Sequence, residues 1–291
     1  MNHRFLLGIG SQRAGSSLLH SLLSKASSAF MHPVKELHYF DTLFEHRSQS
    51  ALKDFALREL RREIGNITST NNYSFMDKPY KCMLRTYSIL AQSDIDTVDY
   101  LDLYRPLLSE RPLLGETTPE YMLLNDAQVS FVKEKLGTET TILLICRDPV
   151  DRLVSAAKLF NVYHGLHMEE NELTDWIKLQ LSDETPWIKA QDQYNDYARA
   201  IRTYSGQFSR FAAISFHGLI DHPSSVAQLI SEMADIDIEI DLFVGNSKHK
   251  ENNLADTEIR DHSLLDLLYD RYKDQKSYIA DLFSGRSAVI C

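Results

Sequence analysis

The stretch Phe5-Leu6-Leu7-Gly8-Ile9-Gly10-Ser11-Gln12-Arg13-Ala14-Gly15-Ser16-Ser17-Leu18-Leu19 joins a strand-sized apolar run to a glycine-rich turn and then to a helix-forming segment. Glycines let the backbone turn tightly and point successive N–H groups inward, and a following helix adds the partial positive charge of its N-terminus. Arg13 brings a full charge and a planar fork of donors, while Ser16 and Ser17 can cap the helix and donate hydroxyls. Together with the amides of Ala14 and Gly15 this makes a cradle for a phosphate-like anion. An ordinary strand-to-helix turn is the alternative.

Two known phosphate motifs fail at this loop. The P-loop of nucleotide triphosphatases needs GxxxxGK[ST]; Gly10 and Gly15 fit, but Ser16 stands where the lysine belongs. The dinucleotide fingerprint needs GxGxxG, and Arg13 occupies the place of its third glycine.

Working outward, three more apolar runs read as buried strands: Leu113–Gly115, Thr141–Cys146 and Phe211–Phe216, with a fifth through Ala29–His32. Helix-period segments lie between them: Ser16–Ser24, Leu52–Ile64, Asp126–Leu136, Asp151–Phe160, Tyr194–Phe208 and Ser224–Met233. A tail helix over Thr257–Phe283 carries Leu264, Leu265, Leu268 and Tyr272 on one face. Strands alternating with helices predict an α/β fold, a central parallel sheet flanked by helices, in one domain over residues 1–291. Ligands of such sheets bind outside the carboxyl ends of strands, which directs attention to the residues after Ile9, Gly115 and Cys146.

Composition narrows the partners. The 291 residues hold 31 Lys plus Arg against 41 Asp plus Glu, a net charge of -10. That disfavours a general nucleic-acid or anionic-membrane binder, so any anionic ligand must be held by a local cluster of cations. No apolar run is long enough for a membrane span, and the apolar stretch near Met1 is too short for a secretory signal. Cys82, Cys146 and Cys291 form no CxxC and no even framework, which favours a reducing cytoplasm.

Two further segments carry chemistry. Pro33-Val34-Lys35-Glu36-Leu37-His38-Tyr39-Phe40-Asp41 supplies a cation, a carboxylate base and a histidine beside aromatics; a solvated Lys-Glu pair next to core aromatics is the other reading. In Leu143-Leu144-Ile145-Cys146-Arg147-Asp148-Pro149-Val150-Asp151-Arg152-Leu153-Val154-Ser155 a buried strand ends in Arg147. Asp148 can cap the next helix and Pro149 fits its first turn. Ser155 lies two turns in and can face the same anion as Arg147. Alternatively, Arg147 pairs structurally with Asp148 or Asp151.

Taken together, these segments resemble the sulfotransferases that use 3'-phosphoadenosine 5'-phosphosulfate (PAPS). Gly10–Ser17 is similar to their 5'-phosphosulfate loop, and Arg147–Ser155 to their 3'-phosphate motif, in which the first Arg and the Ser bind that phosphate. Lys35–Asp41 and Gly115-Glu116-Thr117-Thr118-Pro119-Glu120-Tyr121 resemble segments of the heparan-sulfate-type branch, where the glutamate after the lysine is the catalytic base. The resemblance spans most of the chain and leaves residues 42–112 poorly matched, a helical segment expected to shape the acceptor pocket.

The resemblance implies a P-loop-kinase-like fold and transfer of a sulfuryl group from PAPS to a hydroxyl or amine, releasing 3'-phosphoadenosine 5'-phosphate (PAP). It implies Glu36 as base with His38 in reserve, Arg13 and Lys35 at the leaving oxygen, and Arg147 and Ser155 on the 3'-phosphate. Tyr194 would lie near adenine, and Lys248 and Lys250 in a basic loop closing over the cofactor. Arg13 departs from the lysine usual in that family. No histidine falls between His46 and His164, where the cytosolic branch keeps its base. No metal is required by this chemistry, and the histidines show no ligand spacing. A P-loop small-molecule kinase, a non-catalytic PAP binder and a polysaccharide sulfotransferase are the rivals. The acidic balance favours a small neutral or cationic acceptor, a bacterial-type secondary metabolite or a sugar. Tyr73, Phe75, Tyr80 and Tyr87 are candidate pocket walls, with a place in the core as the alternative for each.

Overall fold

The computed structural model describes residues 3–70, 76–105, 108, 113–247 and 259–291. Five parallel strands form the sheet: β1 (Arg4–Gly10), β2 (Phe30–Met31), β3 (Leu113–Thr117), β4 (Thr141–Cys146) and β5 (Phe211–Ser215). A sixth, β6 (Ala288–Ile290), pairs antiparallel with β5 at the edge, and the spatial order is β2-β3-β1-β4-β5-β6. The α/β expectation holds. β6 escaped the sequence reading because three residues after a helical tail carry too little periodicity to register.

Residues alternate along each strand, so one face takes Phe5, Leu7, Ile9, Ile142 and Leu144 into the larger core cluster. The other takes Leu6, Leu143, Ile145, Ala212 and Ile214 against helix α1 (Ser16–Ala26), whose Leu19, Leu22 and Leu23 are fully covered. Both faces being buried explains why the strands read as continuous apolar runs. The segment after β2 forms α2 (Tyr39–Leu43), α3 (Gln49–Ser69) and α4 (Lys78–Gln92). Next come α5 (Asp126–Leu136), α6 (Pro149–Tyr163), α7 (Glu170–Ser182), α8 (Pro186–Asn195) and α9 (Tyr197–Ser205). Then α10 (Phe216–Asp221), α11 (Pro223–Ala234), α12 (Ile240–Ser247), α13 (His262–Arg271) and α14 (Lys273–Leu282) complete the α-helices among the described residues.

Two helices expected as single are double. The break between α8 and α9 falls at Asp196, whose carboxylate caps α9 through the Arg199 amide. The tail breaks at Tyr272, and Leu265 is only partly covered. Among the described residues no helix is long and apolar enough to cross a membrane.

The order places β1 between β3 and β4, where crossovers leave to opposite sides, and a crevice opens at that switch point. The loop after β1 is anchored there by the Ser11 amide, which donates to the Ile145 carbonyl at 2.9 Å.

Candidate active site

Residues 11–15 turn from β1 into α1, and Gly15 takes φ +104, a left-handed value that a side chain tolerates poorly. A Cβ there would also lie 2.8 Å from the Phe216 ring. Gly15 is the N-cap of α1 and no side chain caps it, so Ser16 and Ser17 do not take the capping role their sequence allowed. Among the described residues no side chain caps the first amides of this 11-residue helix, which favours an anion there.

Three arginines converge on this turn. Arg13 donates Nε to Ser155 Oγ at 3.1 Å, and Arg147 donates Nη1 to the Arg13 carbonyl at 3.1 Å. The Arg147 guanidinium lies 4.7 Å from the Phe216 ring centre, and its Nε is buried without a hydrogen-bond partner among the described residues. Asp148 is engaged elsewhere: Oδ1 caps α6 and Oδ2 pairs with Lys276. Arg147 makes no ion pair among the described residues, so the reading of Arg147 as a structural partner of Asp148 or Asp151 loses its geometric basis. Burial lowers the pKa of Arg13, which the charge of Arg147 lowers further, and burial also lowers that of Arg147. Cations held close together and partly desolvated favour an anion between them. Arg152, fully buried, braces the assembly through Asn195, Gln191 and the Gln12 carbonyl.

Glu36 and His38 sit on the adjoining loop after β2, both at left-handed φ (65° and 51°). Such strain persists only where surroundings hold it. Here the Glu36 amide donates to the Thr117 carbonyl, and the Leu37 amide to Glu116 Oε2 at 3.2 Å. Glu116, fully buried, also accepts from Thr118, Tyr121 and Tyr100. His38 Nδ1 contacts Asp41 Oδ2 at 2.8 Å, and its Nε2 lies 3.7 Å from Glu36 Oε2. The other Glu36 oxygen pairs with Lys35. Burial works to raise the Glu36 pKa, but the His38 contact and Lys35 outweigh it and hold the carboxyl at about 2. For His38 burial works downward, and Asp41, Glu36 and Glu120 overcome it, pushing the imidazole up to about 10.

A cavity of about 640 Å³ opens over this floor. Gln12, Glu36, His38 and Glu120 form its base; α3 contributes Phe55 and Arg58, α6 contributes Phe160 and Tyr163, and α8 contributes Trp187 and Tyr194.

Comparison with known families matches residues 6–240 to the sulfotransferase family. The chain belongs to that family. Among solved structures, a sulfotransferase from Alicyclobacillus acidocaldarius superposes with a TM-score of 0.58 at 16% identity, covering 97% of this chain and 96% of that one. The sulfotransferase domain from the curacin biosynthetic pathway gives 0.51 at 16% identity, with 98% of each chain covered. At such identities the likeness concerns the fold. A search of curated proteins finds no match.

Within this sulfotransferase the two anion segments named from the sequence, Arg13–Ser17 and Arg147–Ser155, come into direct contact, and Lys35, Glu36 and His38 stand beside them. Tyr194 lies on the cavity wall, its hydroxyl 3.5 Å from Glu120 and its ring near Arg152. Lys248 and Lys250 lie outside the described residues, as do Tyr73 and Phe75. The other two wall candidates do not line the cavity: Tyr80 bonds Glu63, and Tyr87 is buried against Phe55. Residues 42–112 contribute Arg47 and, through α3, Phe55 and Arg58; most of the aromatic lining comes from α6 and α8, of which only Tyr194 was expected near the site.

Asp41 and Glu120 were not singled out. Their signals were present: Asp41 follows His38 by three residues on a helical turn, and Glu120 follows the third strand at its carboxyl end. The histidine spacing showed no metal motif, yet the fold brings ligand atoms of Glu36, His38 and Glu120 within 4.8 Å of one another, a grouping able to hold a cation.

Proposed function

We propose that this sulfotransferase moves the sulfuryl group of PAPS to a hydroxyl or amine of a small acceptor. The observation that carries the reading is the Glu36–His38–Asp41 line on the floor of a cavity that adjoins the arginine cradle through Gln12 and Arg13. PAPS supplies an activated sulfuryl group on a phosphate leaving group. The unpartnered Arg147 Nε and the uncapped start of α1 suit its phosphates, with Arg147 and Ser155 toward the 3'-phosphate and Arg13, Ser16 and Ser17 toward the phosphosulfate.

Glu36 takes the acceptor's proton, with Asp41 fixing the His38 ring against it. Protonated His38 then serves as an orienting cation, not the base. A carboxyl held near 2 is a weak base, and Lys35 is one reason for that value. A phosphosulfate beside Lys35 competes for its ammonium; as Lys35 leaves, Glu36 loses a partner and gains basicity. Lys35 and Arg13 then both face the oxygen on which negative charge develops. Kinship in motif to the heparan-sulfate-type branch, a bacterial-type secondary-metabolite or sugar acceptor, a cytoplasmic setting and a single domain over residues 1–291 belong to the same proposal.

Incubation with PAPS and a metabolite extract, with a mass search for sulfated products, tests it. New sulfated species that vanish in Glu36→Gln support the reading; no product from any fraction overturns it.

A further inference from the structure

Glu120 has no part in that mechanism, yet it lines the same cavity. Its Oε1 is provided for, lying 3.5 Å from both Gln12 Nε2 and the Tyr194 hydroxyl. Its Oε2 is buried and has no hydrogen-bond partner among the described residues. The nearest charged donor, His38 Nδ1, is 3.8 Å away and already committed to Asp41. A desolvated carboxylate oxygen without a donor is costly, and the cost disappears when a ligand brings one.

The neighbouring carboxylate defines what such a ligand looks like. Ligand atoms of Glu36 and Glu120 lie within 4.8 Å of each other on one floor. Two donors on adjacent carbons of a single molecule can each reach its own carboxylate at an ordinary hydrogen-bond distance of about 2.6–3.0 Å. The walls above, Phe160 and Trp187, are flat aromatic surfaces suited to a ring.

Resting on the sulfotransferase reading, we propose that Glu120 is a specificity residue for the acceptor. Its Oε2 takes a hydrogen bond from a second hydroxyl or amine, on the carbon next to the one whose group gives its proton to Glu36. The acceptor class is therefore a vicinal diol or amino alcohol on a compact, ring-bearing body.

Catechol and phenol are the probes, differing in the second hydroxyl alone. Both are titrated into the protein saturated with PAP, in the presence of EDTA so that no metal mediates catechol binding. The wild type should bind catechol on the order of 10–100-fold more tightly than phenol, the worth of a hydrogen bond to a charged group. Glu120→Ala should reduce that ratio to near one, and Glu120→Gln, which keeps an acceptor without charge, should fall between. PAP affinity reports whether each variant is folded. Wild-type protein that binds the two probes equally, or binds neither, overturns the assignment without recourse to variants, as does a ratio unchanged in folded Glu120→Ala. No sulfuryl group moves in these titrations. Failure to sulfate any acceptor thus condemns the preceding proposal, while the catechol-to-phenol ratio judges Glu120 separately.

Discussion

Arg13 and Ser155, 142 residues apart, are joined by a hydrogen bond of 3.1 Å from guanidinium Nε to hydroxyl. Arg147, at the end of β4, holds the Arg13 carbonyl at the same distance. One residue of the first loop is thus gripped by both ends of the second motif, and the two segments form one unit.

The first prediction separates their roles. Arg147→Ala should weaken PAP by about 1.5–3 kcal/mol in calorimetric titration, because a charge-assisted hydrogen bond is lost. Adenosine 5'-phosphosulfate, which lacks the 3'-phosphate, should lose much less, since Arg147 reaches it only by bracing Arg13. Equal losses would make Arg147 a purely structural clamp. Arg13→Ala should mainly lower turnover, by about 10²–10³-fold, as expected for a donor to the leaving oxygen.

Glu36→Gln keeps shape and removes basicity, so turnover should drop about 10²–10⁴-fold with PAP affinity nearly intact. Near-normal turnover would remove Glu36 from the base role. Lys35→Ala gives a signed companion. Lys35 helps to depress the Glu36 pKa, so its removal should move the acid limb of the kcat/KM profile to higher pH. An acid limb that stays in place would detach Lys35 from Glu36.

His38 makes stability depend on pH. Its folded pKa, about 10, exceeds the ordinary 6.5, so its contribution is complete below pH 6.5 and is lost as pH rises through 10. Glu36 works in the opposite sense: held at about 2 against 4.5, it stabilises above pH 4.5, and that contribution is lost as pH falls toward 2. Urea denaturation of wild type and His38→Gln should therefore differ most between about pH 4.5 and 6.5, by less as pH rises past neutrality, and converge above pH 10. A constant difference across that range would count against a buried imidazolium.

Zinc offers a check on the cluster. A divalent ion held by Glu36, His38 and Glu120 would occupy the carboxylate proposed as base. Micromolar Zn²⁺ should inhibit, EDTA should restore activity, and EDTA alone should leave turnover unchanged. Loss of activity on chelation would require a metal in the reaction.

The strands were legible because both sheet faces are covered, which leaves unbroken apolar runs such as Thr141–Cys146. That Arg13 and Arg147 would meet was legible because each follows one of those runs within a few positions. The cavity was not, since Phe55, Phe160 and Trp187 come from three helices that meet only through tertiary packing. Nor was the state of His38 legible. Asp41 is visible three residues on, but Glu120 approaches from a turn 82 positions away in sequence, and burial sets how strongly each acts.

The last prediction concerns the charge of the acceptor. A polymer sulfotransferase needs a basic groove for a long polyanion. The best candidate stripe here is the run Arg58, Arg61 and Arg62 on α3, and two of its three charges are paired locally. Arg62 pairs with Glu59 at 2.6 Å and with Glu63 at 3.3 Å, and Arg58 reaches Glu59 at 3.8 Å while lying over Phe55. The cavity itself carries both signs, with Glu36, Asp54 and Glu120 against His38, Arg47 and Arg58. A chain of net charge -10 repels a polyanion within a Debye length, about 8 Å at physiological salt, and attracts a cation over the same range. Rising salt should therefore leave turnover of a neutral acceptor flat and depress kcat/KM for a cationic one, because screening weakens the attraction. A preferred acceptor that is a sulfated or uronic-acid polymer, or activity that climbs steeply with salt, would overturn the expectation of a small neutral or cationic substrate. The proposal of sulfuryl transfer at Glu36 would be unaffected by that result.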